Sequence, residues 1–232
     1  MKFISFSILA AFLAVLTISH ARAQEGAALP LQRGSYFILE GGWNAMAPTN
    51  AFNGLSLVNN RIKLKPGWAL SAAGGYKWSN GLRTELEASY HRNTYRNVYT
   101  PFINNPVSGR QVTGSVMANV LYDINTGTRV TPYFGGGVGV TMVWMKDLTY
   151  LITSTGSPIT TFLNHESARV AFQGIVGVAI AVAPQFEIVM DARYRVSNGH
   201  TFRTLNVVGT YNSYSKYNVH EVTAMAGFRY AF

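Results

Sequence analysis

The chain has 232 residues, of which 48% are hydrophobic and only 12% charged, with a formal net charge of +9 and no cysteine. Soluble domains carry roughly a quarter charged residues, so about half of the usual charge is missing, and the aromatic and glycine content (13 Tyr, 13 Phe, 22 Gly) points to strands and turns rather than disorder. The absence of cysteine excludes a disulfide scaffold, a thiolate zinc site, an iron–sulfur cluster and a cysteine nucleophile, and the length suits a single domain.

Residues 1–23 read as an export signal to be cleaved. Lys2 supplies the positive start, residues 3–18 are almost wholly apolar, and Ala21-Arg22-Ala23 has the small-x-small form of a signal-peptidase site. The apolar run is shorter than the ~20 residues that a spanning helix needs. Residues 24–33 follow as a short lead-in, and from residue 34 the chain alternates.

Eight segments carry a two-residue period, the mark of a strand with two unlike faces. The first, 34–43, sets Phe37, Leu39 and Trp43 against Glu40. The second, 67–78, sets Trp68, Leu70, Ala72, Tyr76 and Trp78 against Ser71, Gly75 and Lys77. The third, 82–91, is the clearest: Leu82, Thr84, Leu86, Ala88 and Tyr90 oppose Arg83, Glu85, Glu87, Ser89 and His91. In the fourth, 110–123, Val112, Val116, Val120 and Tyr122 oppose Gln111, Thr113, Ser115, Asn119 and Asp123. The fifth, 129–145, is glycine-rich with Phe134, Val138, Val140, Met142 and Trp144 in phase. The sixth, 166–182, sets a Val/Ile/Phe face against Arg169 and Gln173. The seventh, 186–196, sets Phe186, Ile188, Met190 and Tyr194 against Glu187, Asp191, Arg193 and Arg195. The last, 218–232, sets Val222, Phe228, Tyr230 and Phe232 against Glu221, Thr223 and Arg229.

Short turns at 79–81, 124–128 and 183–185 alternate with long polar stretches at 44–66, 93–109, 146–165 and 197–217. That order predicts an all-β, eight-stranded antiparallel up-and-down barrel with its long loops at one end. A soluble barrel hides its apolar face; a membrane barrel turns it to lipid. One face of every strand here lacks any Asp, Glu, Lys or Arg, save Arg110 and Glu166 at the segment ends next to the long stretches. On that face aromatics gather in two bands, Trp43, Trp68, Tyr90, Trp144 and Tyr194 near the long loops and Tyr76, Trp78, Tyr122, Phe134 and Phe186 near the short turns. Two bands match the interfacial girdles of a transmembrane β-barrel.

The terminal Phe228-Arg229-Tyr230-Ala231-Phe232 resembles the last strand of bacterial outer-membrane β-barrels. Segments such as Gly74-Gly75-Tyr76, Pro132-Tyr133-Phe134-Gly135-Gly136-Gly137-Val138-Gly139 and Asp191-Ala192-Arg193-Tyr194-Arg195 are similar to the small eight-stranded family. That family includes the membrane domain of outer membrane protein A, outer membrane protein X, the opacity-type surface antigens and barrels labelled porins. The resemblance implies a Gram-negative outer-membrane location, with residues 24–33 periplasmic and 34–232 the barrel. It also implies that Phe228, Tyr230 and Phe232 are read by the barrel-assembly machinery. The chain departs from outer membrane protein A in offering no residues for a peptidoglycan-binding domain after the barrel, so cell-wall tethering is not expected.

Charge falls on the face opposite the lipid. Glu40, Lys77, Arg83, Glu85, Glu87, Asp123, Arg169, Glu187, Asp191, Arg193, Arg195, Glu221 and Arg229 all share it. Eight strands enclose a space only just wide enough for side chains, so these groups are expected to pair as a lumen-filling network that confers order more than stability. Carboxylate pairs such as Glu85/Glu87 or Glu187/Asp191 could be offered for acid–base work, but the same geometry favours salt bridges. Arg61, Lys63 and Lys65 in the first long loop, and Arg203 and Lys216 in the last, have no acid beside them. They suit outer-membrane lipid, specifically lipopolysaccharide phosphates, or an acidic surface polymer, or a merely solvated rim. Nucleic acid is not an expected partner of an exported barrel.

No Gly-x-Ser-x-Gly, His-Glu-x-x-His, phosphate-loop or dinucleotide pattern occurs. The lipid A deacylases, which share the eight-stranded architecture, carry His-x-Ser-Asn at a strand end. Here the matching stretch is Arg195-Val196-Ser197-Asn198, with arginine in place of the base, so Ser197 reads as a loop serine. The histidines lack zinc spacing. No enzyme activity, metal or cofactor is expected. The expected role is a structural surface barrel displaying four long loops for adhesion or recognition of an unidentified ligand, with a narrow solute channel as the alternative and lipid modification as a weaker one.

Overall fold

The computed structural model describes residues 33–47, 49–53, 56–99, 104–150, 165–205 and 211–232. The expected signal sequence and residues 24–32 lie outside them. The described residues form ten strands: β1 (Gly34–Met46), β2 (Thr49–Asn53), β3 (Ser56–Leu64), β4 (Gly67–Lys77), β5 (Leu82–Tyr99), β6 (Asn104–Asp123), β7 (Val130–Tyr150), β8 (His165–Ala183), β9 (Phe186–Leu205) and β10 (Tyr211–Ala231). Eight of them, β1 and β4 to β10, pair antiparallel with their neighbours, and β1 pairs with β10 to close the ring. Closure leaves no unpaired edge within the ring, which is the condition for backbone to sit in hydrocarbon.

The pairing register sets the barrel's shape. A lateral walk from Tyr36 passes through Gly75, Glu85, Asn119, Gly137, Gln173, Arg195 and Glu221 and returns to β1 at Met46, ten residues further up. That stagger inclines the strands steeply to the barrel axis, and the small number of strands keeps the interior narrow. The residues on this circuit up to Glu221 are inward-facing positions, so the walk also traces a helical band around the lumen.

Alternation places apolar side chains outside. Leu86 is 64% exposed and Phe172 63%, while the adjacent Glu87 and Ala171 are 1% and 0% exposed. A barrel in water would reverse this order; lipid accepts it. Within the lumen, Tyr36, Ile38, Leu121, Tyr133, Ile175 and Val189 form an apolar cluster. Inward glycines make room for large side chains that lean across the interior. A Cβ on Gly75 would meet the Tyr36 hydroxyl at 2.5 Å, one on Gly177 would meet the Tyr133 ring at 2.5 Å, and one on Gly137 would meet Asn119 Oδ1 at 1.9 Å. The glycine-rich fifth strand is thus a set of recesses.

The long polar stretches differ from expectation. Residues 49–53 and 56–64 are not loop: β2 and β3 pair with each other, continue the β1/β4 ladder and also pair with β10 and β5. In the expected loops at 93–109, 146–165 and 197–217 the described residues are likewise strand, since β5 runs to Tyr99, β6 starts at Asn104, β7 runs to Tyr150, β8 starts at His165, β9 runs to Leu205 and β10 starts at Tyr211. The physical reason is that the readable signal is an apolar face set against a polar one. Beyond Arg92 the exposed positions of β5 are Thr94 and Arg96 and the buried ones Asn93 and Tyr95, so that contrast is lost while backbone pairing continues.

Candidate functional site

The interior is a stack of polar clusters, each built from several strands. At the short-turn end, Lys77 Nζ meets Asp123 at 2.7 Å, and Arg83 lies between Asp123 (2.8 Å) and Glu85 (3.0 Å). Tyr36 donates its hydroxyl to Glu85 at 2.7 Å, and the Arg83 guanidinium stands 4.6 Å from the Tyr133 ring centre. Arg229 donates through Nε to Glu187 at 2.6 Å. Such guanidinium-over-ring contacts add to the ion pairs in a dry interior.

The middle cluster ties opposite walls together. Glu87 on β5 accepts from Arg193 Nη1 at 3.0 Å and Arg195 Nη2 at 3.3 Å, and these arginines belong to β9, four strands away on the far side of the ring. Asn119 and Gln173 each donate to Glu87 at 2.8 Å. Arg193 also pairs with Asp191 at 2.9 Å and with Glu40, and donates to Ser71 at 3.2 Å. Arg195 donates to Ser115 at 2.9 Å and Ser89 at 3.1 Å. Tyr133 donates to Asp191 at 3.1 Å.

Towards the outer end, Glu221 pairs with His91, accepts from Asn44 and lies 3.8 Å from Arg195. Asn44 and Asn93 bond to each other, and Asn93 donates to the Lys65 carbonyl at 3.1 Å. The expected lumen residues Glu40, Lys77, Arg83, Glu85, Glu87, Asp123, Glu187, Asp191, Arg193, Arg195, Glu221 and Arg229 therefore all face inward and have partners.

Arg169 does not join them. It shares their phase but is exposed, and it donates to the Gly199 carbonyl at 2.7 Å and the Ala168 carbonyl at 2.9 Å. Without it five cations face seven carboxylates, and neutral donors make up the difference: Tyr36, Tyr133, Asn44, Asn119 and Gln173 each bond a carboxylate. A carboxylate holding several hydrogen bonds is stabilised without a matching cation. The polar ones among these donors stand in phase with the charged residues, and that phase is the signal that could have found them. The two tyrosines carry no such signal, because their rings suit either face.

Ser197 also differs from expectation. It lies within β9 rather than in a loop, is buried, and stands 2.8 Å from His200 Nε2. A bulge brings them together: Gly199 takes a positive φ of 77° and the β9/β10 register shifts beside it, so residues 197 and 200 both face inward. Among the described residues no group of three His, Asp or Glu is arranged to hold a metal.

The aromatic bands lie on the outside. Trp43, Trp68, Tyr90 and Tyr194 are exposed towards the outer end and Trp144 is half-buried; Trp78, Tyr122 and Phe134 are exposed at the other end, with Tyr76 and Phe186 half-buried. Trp43 pairs laterally with Trp68, Tyr122 with Phe134, and Phe186 with Tyr230. Phe228, Tyr230 and Phe232 face outward on the closing strand. Lys63 is half-buried on β3 and Lys65 is exposed between β3 and β4. The side chains of Arg61, Arg203 and Lys216 fall outside the described residues.

Known proteins share this architecture. An outer membrane protein of Gluconacetobacter diazotrophicus is 27% identical over 184 residues, covering 70% of this chain; the alignment spans 46% of that relative, about half its length. Outer membrane protein OprG from Pseudomonas aeruginosa superposes with a TM-score of 0.61 at 16% identity, covering 88% of this chain and 99% of its own. Neisserial surface protein A gives 0.50 at 21%, covering 86% and 99%. At these identities the solved structures speak for the fold alone. Residues 8–230 match the family model described as outer membrane protein beta-barrel domain, and the chain belongs to that family of Gram-negative outer-membrane barrels.

Proposed function

We propose that the protein is a non-enzymatic surface barrel whose interior is closed by its own side chains and whose working part is the set of strand ends and loops above the outer leaflet. The observation that carries this reading is the tie between Glu87 and the arginine pair Arg193 and Arg195, which crosses the barrel from wall to wall. With neutral donors on either side, that tie occupies the width in which a solute would have to pass. A filled interior leaves adhesion or recognition to the outer end, where β5 to β10 and the β2/β3 hairpin lift the connections clear of the membrane.

The test is single-channel conductance of refolded protein in a planar bilayer, with folding verified by the mobility difference between boiled and unboiled samples. A folded, electrically silent barrel is the expected result. Reproducible conductance steps would overturn the reading in favour of a narrow channel.

A further inference from the structure

The lumen's charges do not balance at every level. At the short-turn end three cations, Lys77, Arg83 and Arg229, stand with three carboxylates, Asp123, Glu85 and Glu187. Above them four carboxylates, Glu40, Glu87, Asp191 and Glu221, share Arg193 and Arg195, with His91 beside Glu221. Even with His91 counted as a cation, one carboxylate of this group has no cation of its own among the described residues. Neutral donors relieve three of the four: Asn119 and Gln173 serve Glu87, Tyr133 serves Asp191, and Asn44 serves Glu221. None of these bonds goes to Glu40.

Glu40, on β1, is 5% exposed. Its Oε2 accepts from Arg193 Nη2, a nitrogen that also donates to Asp191 Oδ2 at 2.9 Å, and its Oε1 is buried with no hydrogen-bond partner among the described residues. The shared nitrogen holds the two carboxyl groups within hydrogen-bonding reach of each other. Asp191 is the better satisfied, since Arg193 Nε donates to its Oδ1 at 2.9 Å and the Tyr133 hydroxyl to its Oδ2 at 3.1 Å. The neighbouring walls bring Glu40 no second cation. β4 presents Ser71 and β10 presents Gly227 beside it, β5 presents Glu87 behind Arg193, β7 presents the Tyr133 phenol, and Arg229, lower on β10, is held by Glu187. Two carboxylates this close repel strongly when both are ionised in a dry interior, and a buried oxygen without a donor adds its own cost. A single proton removes both penalties, because a carboxylic acid has a donor to offer the carboxylate beside it.

We propose that Glu40 and Asp191 share one proton at neutral pH, so that the lumen is completed by a buried carboxylic acid rather than by a sixth cation. The proton is taken from solvent as the chain folds, since both carboxyls are ionised in the unfolded chain at that pH. Once in place it joins β1 to β9 over the intervening β10, and its loss sets two like charges against each other on those strands. The pair is therefore a base-sensitive lock on the interior. The inference rests on the filled-lumen reading for its geometry but not on the absence of conductance: a conducting barrel that still held the proton would overturn that reading and leave this one standing.

The experiment is infrared spectroscopy of the refolded full-length protein in detergent at neutral pH, where a protonated carboxyl shows a C=O stretch apart from the carboxylate and amide bands. Wild-type protein is expected to show this acid band. Glu40→Gln and Asp191→Asn should each abolish it although each leaves one carboxyl in place, because the remaining carboxyl then has Arg193 Nη2 to itself. Glu85→Gln, at the short-turn end, should leave the band intact, and gel mobility verifies that each variant is folded. Should either variant of the pair fail to fold, the wild-type urea midpoint decides. A folded state that holds one proton more than the unfolded chain loses about tenfold in its folded-to-unfolded ratio for each pH unit gained, so the midpoint should fall between about pH 7 and 8, above the titration of histidine and below that of tyrosine and lysine. No acid band in the wild type, a band that survives in folded Glu40→Gln and Asp191→Asn, or a midpoint flat across that range would overturn the assignment. So would a band that appears only when sodium is replaced by a bulky organic cation, since a metal cation would then be the missing charge.

Discussion

Glu87 is the point where the two walls of the barrel meet, and replacing it with alanine tests whether the lumen network holds the fold together. The side chain is 1% exposed and accepts from four donors: Arg193, Arg195, Asn119 and Gln173. Glu87→Ala leaves two buried guanidinium groups short of their shared carboxylate. Removing one partner of a buried pair costs about 3–5 kcal/mol. Arg193 keeps Asp191 and Glu40, and Arg195 keeps Gln173, so the lower end applies. A loss of about 3 kcal/mol lowers the ratio of folded to unfolded protein roughly a hundredfold. With a urea dependence of about 2 kcal/mol per molar, the unfolding midpoint should fall by about 1.5 M. The assay is urea titration of the refolded protein in lipid vesicles, read by tryptophan emission and by gel mobility without boiling. Glu87→Gln, which keeps the volume and one acceptor, should lose less. A folded Glu87→Ala protein with the wild-type midpoint would refute the reasoning and reduce the network to space-filling.

Two further outcomes follow from particular residues. Gly137→Ala would push a methyl group to 1.9 Å from Asn119 Oδ1, and overpacking of this kind costs about 1–3 kcal/mol; Gly74→Ala, at a position facing open space, should cost little, and a equal urea midpoint for the two variants would count against the recess argument. His200 stands at the outer end of β9, beyond the Tyr194 girdle position, where burial first and the nearby Arg169 guanidinium second push its pKa down to about 4. An unfolded histidine titrates near 6.5, so the unfolded chain takes up the proton first. The stability this neutral imidazole contributes is complete above about pH 6.5 and is lost as pH falls towards 4. Unfolding midpoints measured across that range should show a slope that His200→Gln flattens; an identical slope in the variant would show that other groups cause it.

The barrel is legible in the sequence because its cause is local. Leu86 beside Glu87, or Ile188 beside Glu187, records lipid on one side and lumen on the other, and that record needs only the residue and its neighbour. Strand number, phase and the aromatic bands follow from it. Where the contrast ends, legibility ends too: the β2/β3 hairpin and the upper parts of β5 to β10 read as loops because their sequences set no apolar face against a polar one, as where Thr94 and Arg96 alternate with Asn93 and Tyr95. Ser197 and His200 were unreadable as a pair because the Gly199 bulge shifts the phase between them.

The sequence by itself determined that this is a closed eight-stranded transmembrane barrel with charge inside, since period and composition carry that information strand by strand. Only the tertiary structure decided who meets whom. Arg195 reaches Glu87 across 108 positions of chain and His91 reaches Glu221 across 130. Those meetings depend on the stagger of the ring and on which strands stand opposite one another, neither of which leaves a trace in local periodicity. The same stagger brings Glu40 and Asp191 to one arginine inside and leaves Arg169 at the mouth, exposed, rather than within the network.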